Sequence, residues 1–591
     1  MTTDGPSISD AARLLATGAA LMDAGRTAEA VSALTGAVVA HPGDAALRMT
    51  LGAALRAERQ YEAAAIQFLK ASRIAPHLAE PRIALAQSMV DAGKPSEALH
   101  VVQQSLGAMP DTAALWNLKG ALQRRAGDIA GSELSFRRAC ELAPATAEYL
   151  NNLAVAARAG GRLDDAIALY RQALAADPDS ARVHGNLGNA LDAAGRPDEA
   201  LPHLRAAVAA APDDLDAAHN LAVHLIRIEC QDEAVPLLRR VVAHDPSRWD
   251  SLTNLGVALL AVGRPAEAEA CYRRALSLRP GVPETHYDLA WVLLLTGRWY
   301  EGWHEYEWRW RLPSFASRPP PGEAQTWDGT PLPEGTLLVY AEQGFGDAIQ
   351  FVRFARVAKS RVARVVVMCP RPLMRLLSTV PGLDGVVPDT DPPPPADARA
   401  AMMSLPFLFG TTPESVPMAE PYIPVPAPRG VLPPKARPRI GFVWAGSPAN
   451  KIDRQRTCGV AHFLQLMDRV SADFVSLQIG PRAADLARGA PDRLIFRADG
   501  RVEDFMDTAA LIGELDLVVG VDTAVLHLAA AMGKPTWILL PFMPDYRWLL
   551  NSSESPWYRA VRLFRQREKG EWSQVFDDVS TALTHWLRSA G

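Results

Sequence analysis

Residues 147–178 read AEYLNNLAVAARAGGRLDDAIALYRQALAADP, two helical patterns separated at GGR and closed by a proline. Prolines stand at 42, 76, 110, 144, 178, 212, 246 and 280, each 34 residues after the last, and that spacing is the signature of a repeat array. If the proline is position 32, position 8 carries Gly18, Gly52, Ala86, Gly120, Ala154, Gly188, Ala222 and Gly256. Position 24 carries Leu34, Phe68, Val102, Phe136, Tyr170, Leu204, Leu238 and Tyr272, and position 20 is alanine in every repeat except Ser132. Small residues facing large ones predict interlocking helical hairpins.

The period and these positions resemble the tetratricopeptide (TPR) repeat over residues 11–312, about nine repeats with the last degenerate. The resemblance implies an α-solenoid with a concave binding surface. On the first helix of each repeat the packing stripe is positions 4, 7, 8 and 11. Position 6 therefore points about 150° away from it, to solvent or the groove. There stand Asn152, Asn186, Asn220, Asn254 and finally Asp288, whereas the first four repeats carry Ala16, Thr50, Ala84 and Leu118. One asparagine is merely tolerated on an exposed turn. Four in register offer paired donors and acceptors suited to an extended peptide backbone, and they are similar to the asparagine ladder of protein O-GlcNAc transferases. These five residues are the candidate acceptor-protein site.

The rest of the chain changes character. RWYEGWHEYEWRW, 298–310, reads as an aromatic cap that glues the array to the next domain, and 313–335 reads as a linker. TLLVYA and ARVVVMC, then RIGFVWAG, DFVSLQIG, DLVVGVD and PTWILLP, alternate with helical patterns, as in parallel α/β sheets. A proline-dense stretch, 413–438, interrupts them. Two Rossmann-like units, 336–430 and 436–591, suggest the GT-B architecture, with the ligand at the strand C-termini.

Composition excludes several classes. With 21% charged residues and a net charge of -5 there is no global basic field for nucleic acid, and no apolar run reaches membrane-spanning length. The start, MTTDGPSISD, lacks a signal-peptide pattern, and five scattered cysteines give neither a zinc motif nor a disulfide framework. A cytoplasmic protein with no metal and no cofactor is expected.

GFGDAIQF, VWAGSPANKIDRQRT, VDTAVLHLAAAMGKP, PFMPDYRWLL and SPWYRAVRLFRQ, in that order, resemble the family 9 glycosyltransferases related to bacterial heptosyltransferases. Behind a TPR array, the arrangement is similar to alphaproteobacterial flagellin glycosyltransferases that use CMP-linked nonulosonic acids such as pseudaminic or legionaminic acid. The resemblance implies a metal-independent, inverting transferase that takes a nucleotide sugar as substrate and glycosylates Ser or Thr of an acceptor protein, flagellin being the specific expectation. Transfer to a lipopolysaccharide or exopolysaccharide glycan, or an inactive TPR scaffold, are the alternatives.

Within that resemblance Asp347, which ends the Gly344-Phe345-Gly346 turn, is the catalytic base. Read from the residues alone it is equally a helix N-cap. A fixed carboxylate there would repel phosphate, so the glycines are not read as the nucleotide cradle. The donor phosphate is assigned instead to Gly446, Ser447, Lys451, Arg454 and Arg456 after a strand, the family match putting Lys451 on the phosphate, and the resemblance implies that Asp522, Thr523 and His527 contact the donor nucleotide and phosphate. The bland readings are a solvated basic loop, and a cap with a buried histidine. Arg547, Arg562 and Arg565 read as packing or surface residues, and Asp389-Thr390-Asp391 as a turn.

Overall fold

The computed structural model describes residues 8–417, 421–448, 453–487 and 493–590. The chain divides into two compact units, Met1–Leu237 and Leu238–Gly591. Antiparallel helical pairs run from Ile8–Asp23 to Trp299–Tyr306, followed by a region built on two parallel sheets. Among the described residues no helix is long and apolar enough to cross a membrane.

In the first unit the predicted interlock is visible atom by atom. A Cβ added to Gly52 would lie 2.6 Å from Phe68 Cε1, and one on Gly120 would lie 2.7 Å from the Phe136 ring. Gly188 has the same relation to Leu204. The glycine is therefore required by helix approach, and the large residue fills the space its missing side chain leaves. The turn between the two helices of each repeat needs a left-handed residue at position 15, supplied by Gly25, Gly93, Gly127, Gly161 and Gly195, and by Arg59 and Glu229. Position 4 closes the corner: Arg48, Trp116 and His184 bond the carbonyls of Pro42, Pro110 and Pro178.

The second unit begins with the remaining repeats and carries the sheets. The first sheet contains β1 (Gln325–Thr326), β2 (Leu332–Tyr340), β3 (Val362–Cys369), β4 (Gly385–Pro388) and β5 (Ala398–Ala401), in the order β1-β5-β2-β3-β4. The second contains β6 (Arg439–Val443), β7 (Asp473–Ser476), β8 (Leu494–Arg497), β9 (Leu517–Val521), β10 (Thr536–Leu540) and β11 (Val561–Arg565), in the order β11-β10-β9-β6-β7-β8. All these pairings are parallel. The expected linker is not free of structure: it contributes β1 and the first residues of β2, because Leu332 already pairs with Val362 ahead of an irregularity in the ladder. The Asp389-Thr390-Asp391 triplet lies in a turn and bend after β4, with Arg371 bonded to its hydroxyl and second carboxylate.

The aromatic junction is buried as a cap should be. Trp299 stacks on Trp557 with centroids 4.7 Å apart, and Trp303 meets Phe351 edge to face. The Tyr306 hydroxyl accepts a bond from Gln343, and buried Arg309 pairs with Glu342. Gln343 and Glu342 both lie in the residues leading into the Gly344 turn, so the last repeat and the first sheet share one core.

Candidate active site

The order of the second sheet dictates where a ligand would sit. The chain runs from β6 outward through β7 and β8, then returns to the other side of β6 as β9, so the connections diverge between the C-terminal ends of β6 and β9. Val443 at the end of β6 pairs with Gly520 of β9, where a Cβ would collide with the Val443 carbonyl. Gly446 follows Val443 by three residues, and Asp522 and Thr523 follow Gly520 by two and three.

Across from it lies the Gly344 turn. Its helix is Phe345–Ala358, with Gly344 as N-cap. Asp347 is thus the third residue of the helix rather than its N-cap, and its Oδ2 accepts the Gly344 N–H at 2.8 Å. Gly346 faces the second helix, Ala524–Ala531: a Cβ there would lie 3.1 Å from His527 and 3.5 Å from Ala524. Two helix N-termini therefore converge, each presenting first-turn N–H groups that have no partner within the helix and the positive end of its dipole.

The acids near this junction are all engaged. Asp347 Oδ1 is ion-paired with Arg547, whose remaining donors reach Asp545 Oδ1 at 2.8 Å and Gln350 Oε1 at 2.7 Å. Arg547 is not the surface or plain packing residue that its sequence context suggested: it is buried and shared by three polar partners. Asp522 Oδ2 accepts from Trp548 Nε1 at 2.9 Å, and its Oδ1 pairs with His527 Nε2 at 3.2 Å. His527 Nδ1 lies 2.9 Å from the Tyr558 hydroxyl. Burial opposes ionisation of Asp522, but the His527 bond and charge, the Trp548 indole and Arg547 outweigh it and hold the carboxyl below its ordinary range. In Asp545 burial wins and, with the neighbouring Asp522 charge, raises the carboxyl. Thr523 Oγ1, at the N-cap of the second helix, is shielded from solvent with no partner among the described residues.

The other predicted donor contacts divide. A Cβ on Gly446 would lie 2.3 Å from Arg456 Nη2, so the glycine is what lets that guanidinium approach. Arg456 is in turn paired with buried Asp453. Ser447 and Arg454 are exposed, and Lys451 lies outside the described residues. Arg562 lies against the Trp537 and Phe564 rings, while Arg565 bonds the Trp548 and Ser552 carbonyls. These two arginines have packing roles.

The position-6 residues are half-buried. In the first unit Asn152 donates to Asn117 at 2.9 Å and Asn186 donates to Asn151 at 2.9 Å, so part of the ladder's capacity is used between repeats. The position-5 asparagines were the overlooked signal. Asn220 in the first unit, and Asn254 and Asp288 in the second, make no side-chain hydrogen bond among the described residues. Sequence reading also missed Gln350, Asp545, Trp548 and Tyr558. An arginine and a glutamine inside the apolar pattern DAIQFVRFARVAK were the available hint.

Comparison with known proteins agrees with the two halves. A tetratricopeptide repeat profile matches residues 15–79, 83–147, 122–181, 231–283 and 253–301, and a second one matches 157–227. Residues 503–539 match glycosyltransferase family 9 (heptosyltransferase), a stretch that contains Asp522, Thr523 and His527. Protein FlbA of Caulobacter vibrioides is 26% identical over 334 residues, covering 50% of this chain and 54% of FlbA. The match thus spans about half the length of that curated relative. Among solved structures, YrrB, a TPR protein with an unusual peptide-binding site, is 20% identical over 31% of this chain and 95% of its own, with a TM-score of 0.28. The APC/C hetero-tetramer Cut9-Hcn1 is 15% identical, covering 47% of this chain and 55% of its own, with a TM-score of 0.38. The repeat matches thus fall in the helical array and the family 9 match in the second sheet's region.

Proposed function

We propose that the chain is a cytoplasmic, metal-independent, inverting protein O-glycosyltransferase of GT-B architecture, its lobes being 336–430 and 436–591. The observation that carries this reading is the N-terminus of helix Ala524–Ala531 at the β6/β9 divergence, inside the matched family 9 stretch and facing the Gly344 turn. It is an anion site of the kind a departing nucleotide phosphate needs. The donor is a CMP-linked nonulosonic acid, and the acceptor is flagellin held by the repeats through Asn152, Asn186, Asn220, Asn254 and Asp288.

In the transfer, a lone pair of the acceptor Ser or Thr oxygen forms the new bond to the anomeric carbon. The bond from that carbon to the phosphate oxygen breaks, and its electron pair leaves with the nucleotide. The hydroxyl proton passes to Asp347, whose side chain is 21% exposed although both oxygens already hold a partner. The charge gathering on the phosphate is met by the Thr523 hydroxyl, the free N–H groups of its helix, and the cations Lys451 and Arg454.

That double engagement of Asp347 is what favours the rival reading, a docking module without catalysis. Purified protein incubated with CMP-pseudaminic or CMP-legionaminic acid and flagellin separates the two by intact mass. Transfer is expected with the native chain and should fall at least 10²-fold in Asp347→Asn. No adduct with any nucleotide sugar would leave the docking reading in its place.

A further inference from the structure

Residues 541–549, PFMPDYRWL, take no part in the proposed transfer step, yet they run from the last repeats to both acids of the junction. Phe542 covers the repeat turn at Gly263, where a Cβ would lie 3.0 Å from its ring. Tyr546 is buried and meets Trp291 of the last repeat edge to face, 5.2 Å between centroids, with Trp303 at 5.7 Å. The next two residues reach the opposite way: Arg547 to Asp347, and Trp548 to Asp522. The segment ends at Leu549 with φ 56°, a left-handed conformation that a leucine holds only when its surroundings impose it. Arg565 fixes that end by bonding the Trp548 carbonyl.

We infer that Arg547 is the positioning residue of Asp347, seated by the last repeat so that the carboxylate is held in one orientation. This rests on the reading of Asp347 as the base. An aspartate side chain tied only to the Gly344 amide is free to turn about its terminal torsion. The planar guanidinium fork removes that freedom, because its other donors are pinned by Asp545 and Gln350 at fixed angles. A lysine has the charge but no fork. Misplacement of a reacting group by about 1 Å costs on the order of 10² in rate, so fixing the orientation is worth that much to a base.

Arg547→Lys in the full chain tests this with two readouts, and Arg547→Gln replaces it if the lysine variant does not fold. The first is hydrogen exchange at Gly344, whose N–H is bonded to Asp347. Exchange there should quicken roughly five- to tenfold, with the β9 amides unchanged. Unchanged exchange at Gly344 overturns the inference whether or not transfer is observed. The second is transfer kinetics with CMP-pseudaminic acid and flagellin: kcat should fall about 10²-fold with both KM values unaltered. In an Asp347→Asn background the same substitution should lower kcat no further. An additive loss would mean that Arg547 acts by some other route. Full activity in Asp347→Asn would remove the base itself, a failure of the proposed function that leaves the exchange result to judge whether Arg547 places the carboxylate.

Discussion

Charge is used in opposite ways in the first unit and in the sheets of the second. On the repeats, Arg171 pairs with Glu199 and Arg205 with Glu233, the same step 28 residues apart, with side chains about half exposed. Around the sheets, Arg309 and Arg353 are fully buried and Arg547 nearly so, and each has its own set of partners, Arg353 and Arg547 having only Gln350 in common. Exposed pairs are screened and worth about 0–1 kcal/mol, whereas a buried polar group left without its partner costs about 1–3 kcal/mol. The repeats are thus held by small-against-large packing and need little from their charges. The α/β half depends on the partners its buried arginines do have.

The sharpest way to break this contrast is a matched pair of substitutions. Arg353, on the same helix as Asp347, donates to the Gln350 and Trp557 carbonyls at 2.8 and 2.7 Å and to the Tyr422 hydroxyl at 3.0 Å, between the Tyr422 and Tyr558 rings. Arg353→Met should destabilise the second unit by about 3 kcal/mol. Arg205→Met should cost the first unit under about 0.5 kcal/mol, and less at high salt. Urea unfolding followed by hydrogen exchange, which assigns the loss to a unit, measures both. Equal losses would mean that burial does not set the value of these charges.

Asp288 is where the two styles meet, a repeat position in which a carboxyl is half-buried without a bonding partner among the described residues. Burial, with the like charge of Glu284 adding to it, raises its carboxyl to about 7. Because this lies above the unfolded value near 4, the protonated form favours the folded state. That contribution is complete below about pH 4 and is lost as pH rises through 7. Asp288→Asn, which copies Asn254 one repeat earlier, should therefore stabilise the second unit by about 1–2 kcal/mol at pH 8, discounted for partial exposure, and change little at pH 4. Thermal unfolding across that range reads the difference. A gain of equal size at both pH values would show that it does not arise from titration of this carboxyl.

How much of this was legible in the sequence divides along the same line. The interlock at positions 8 and 24 could be read because one geometry is written eight times, so chance variation cancels. The strands that could be read were the buried β-branched runs such as Val365 to Val367. Short strands such as Ala398–Ala401 and Gly385–Pro388 carry too few residues for any period to register. The candidate site residues Asp347, Asp522, Thr523 and His527 could be picked out by their place after strand ends. Their partners could not: Asp347 and Arg547 are 200 residues apart, and nothing local to PDYRW indicates which carboxylate its arginine will meet.

The smallest effect tests the repeats where their own rule is broken. Position 15 is glycine in seven repeats, with φ between 72° and 85°, but Arg59 holds φ 60°. A side chain in that conformation brings Cβ against the following carbonyl, at about 1 kcal/mol. Glycine removes that contact and returns part of the gain through the greater freedom of its unfolded chain. The Arg59 side chain is exposed and makes no hydrogen bond or ion pair among the described residues, so nothing else is lost with it. Arg59→Gly should then stabilise the first unit by about 0.5 kcal/mol and raise its melting temperature by roughly 1–2 °C. Gly161→Ala, the reverse change at the same turn later in the chain, should destabilise by about 1 kcal/mol. If both variants lose stability, the repeats are not equivalent at this turn, and packing around Arg59 rather than backbone conformation governs it.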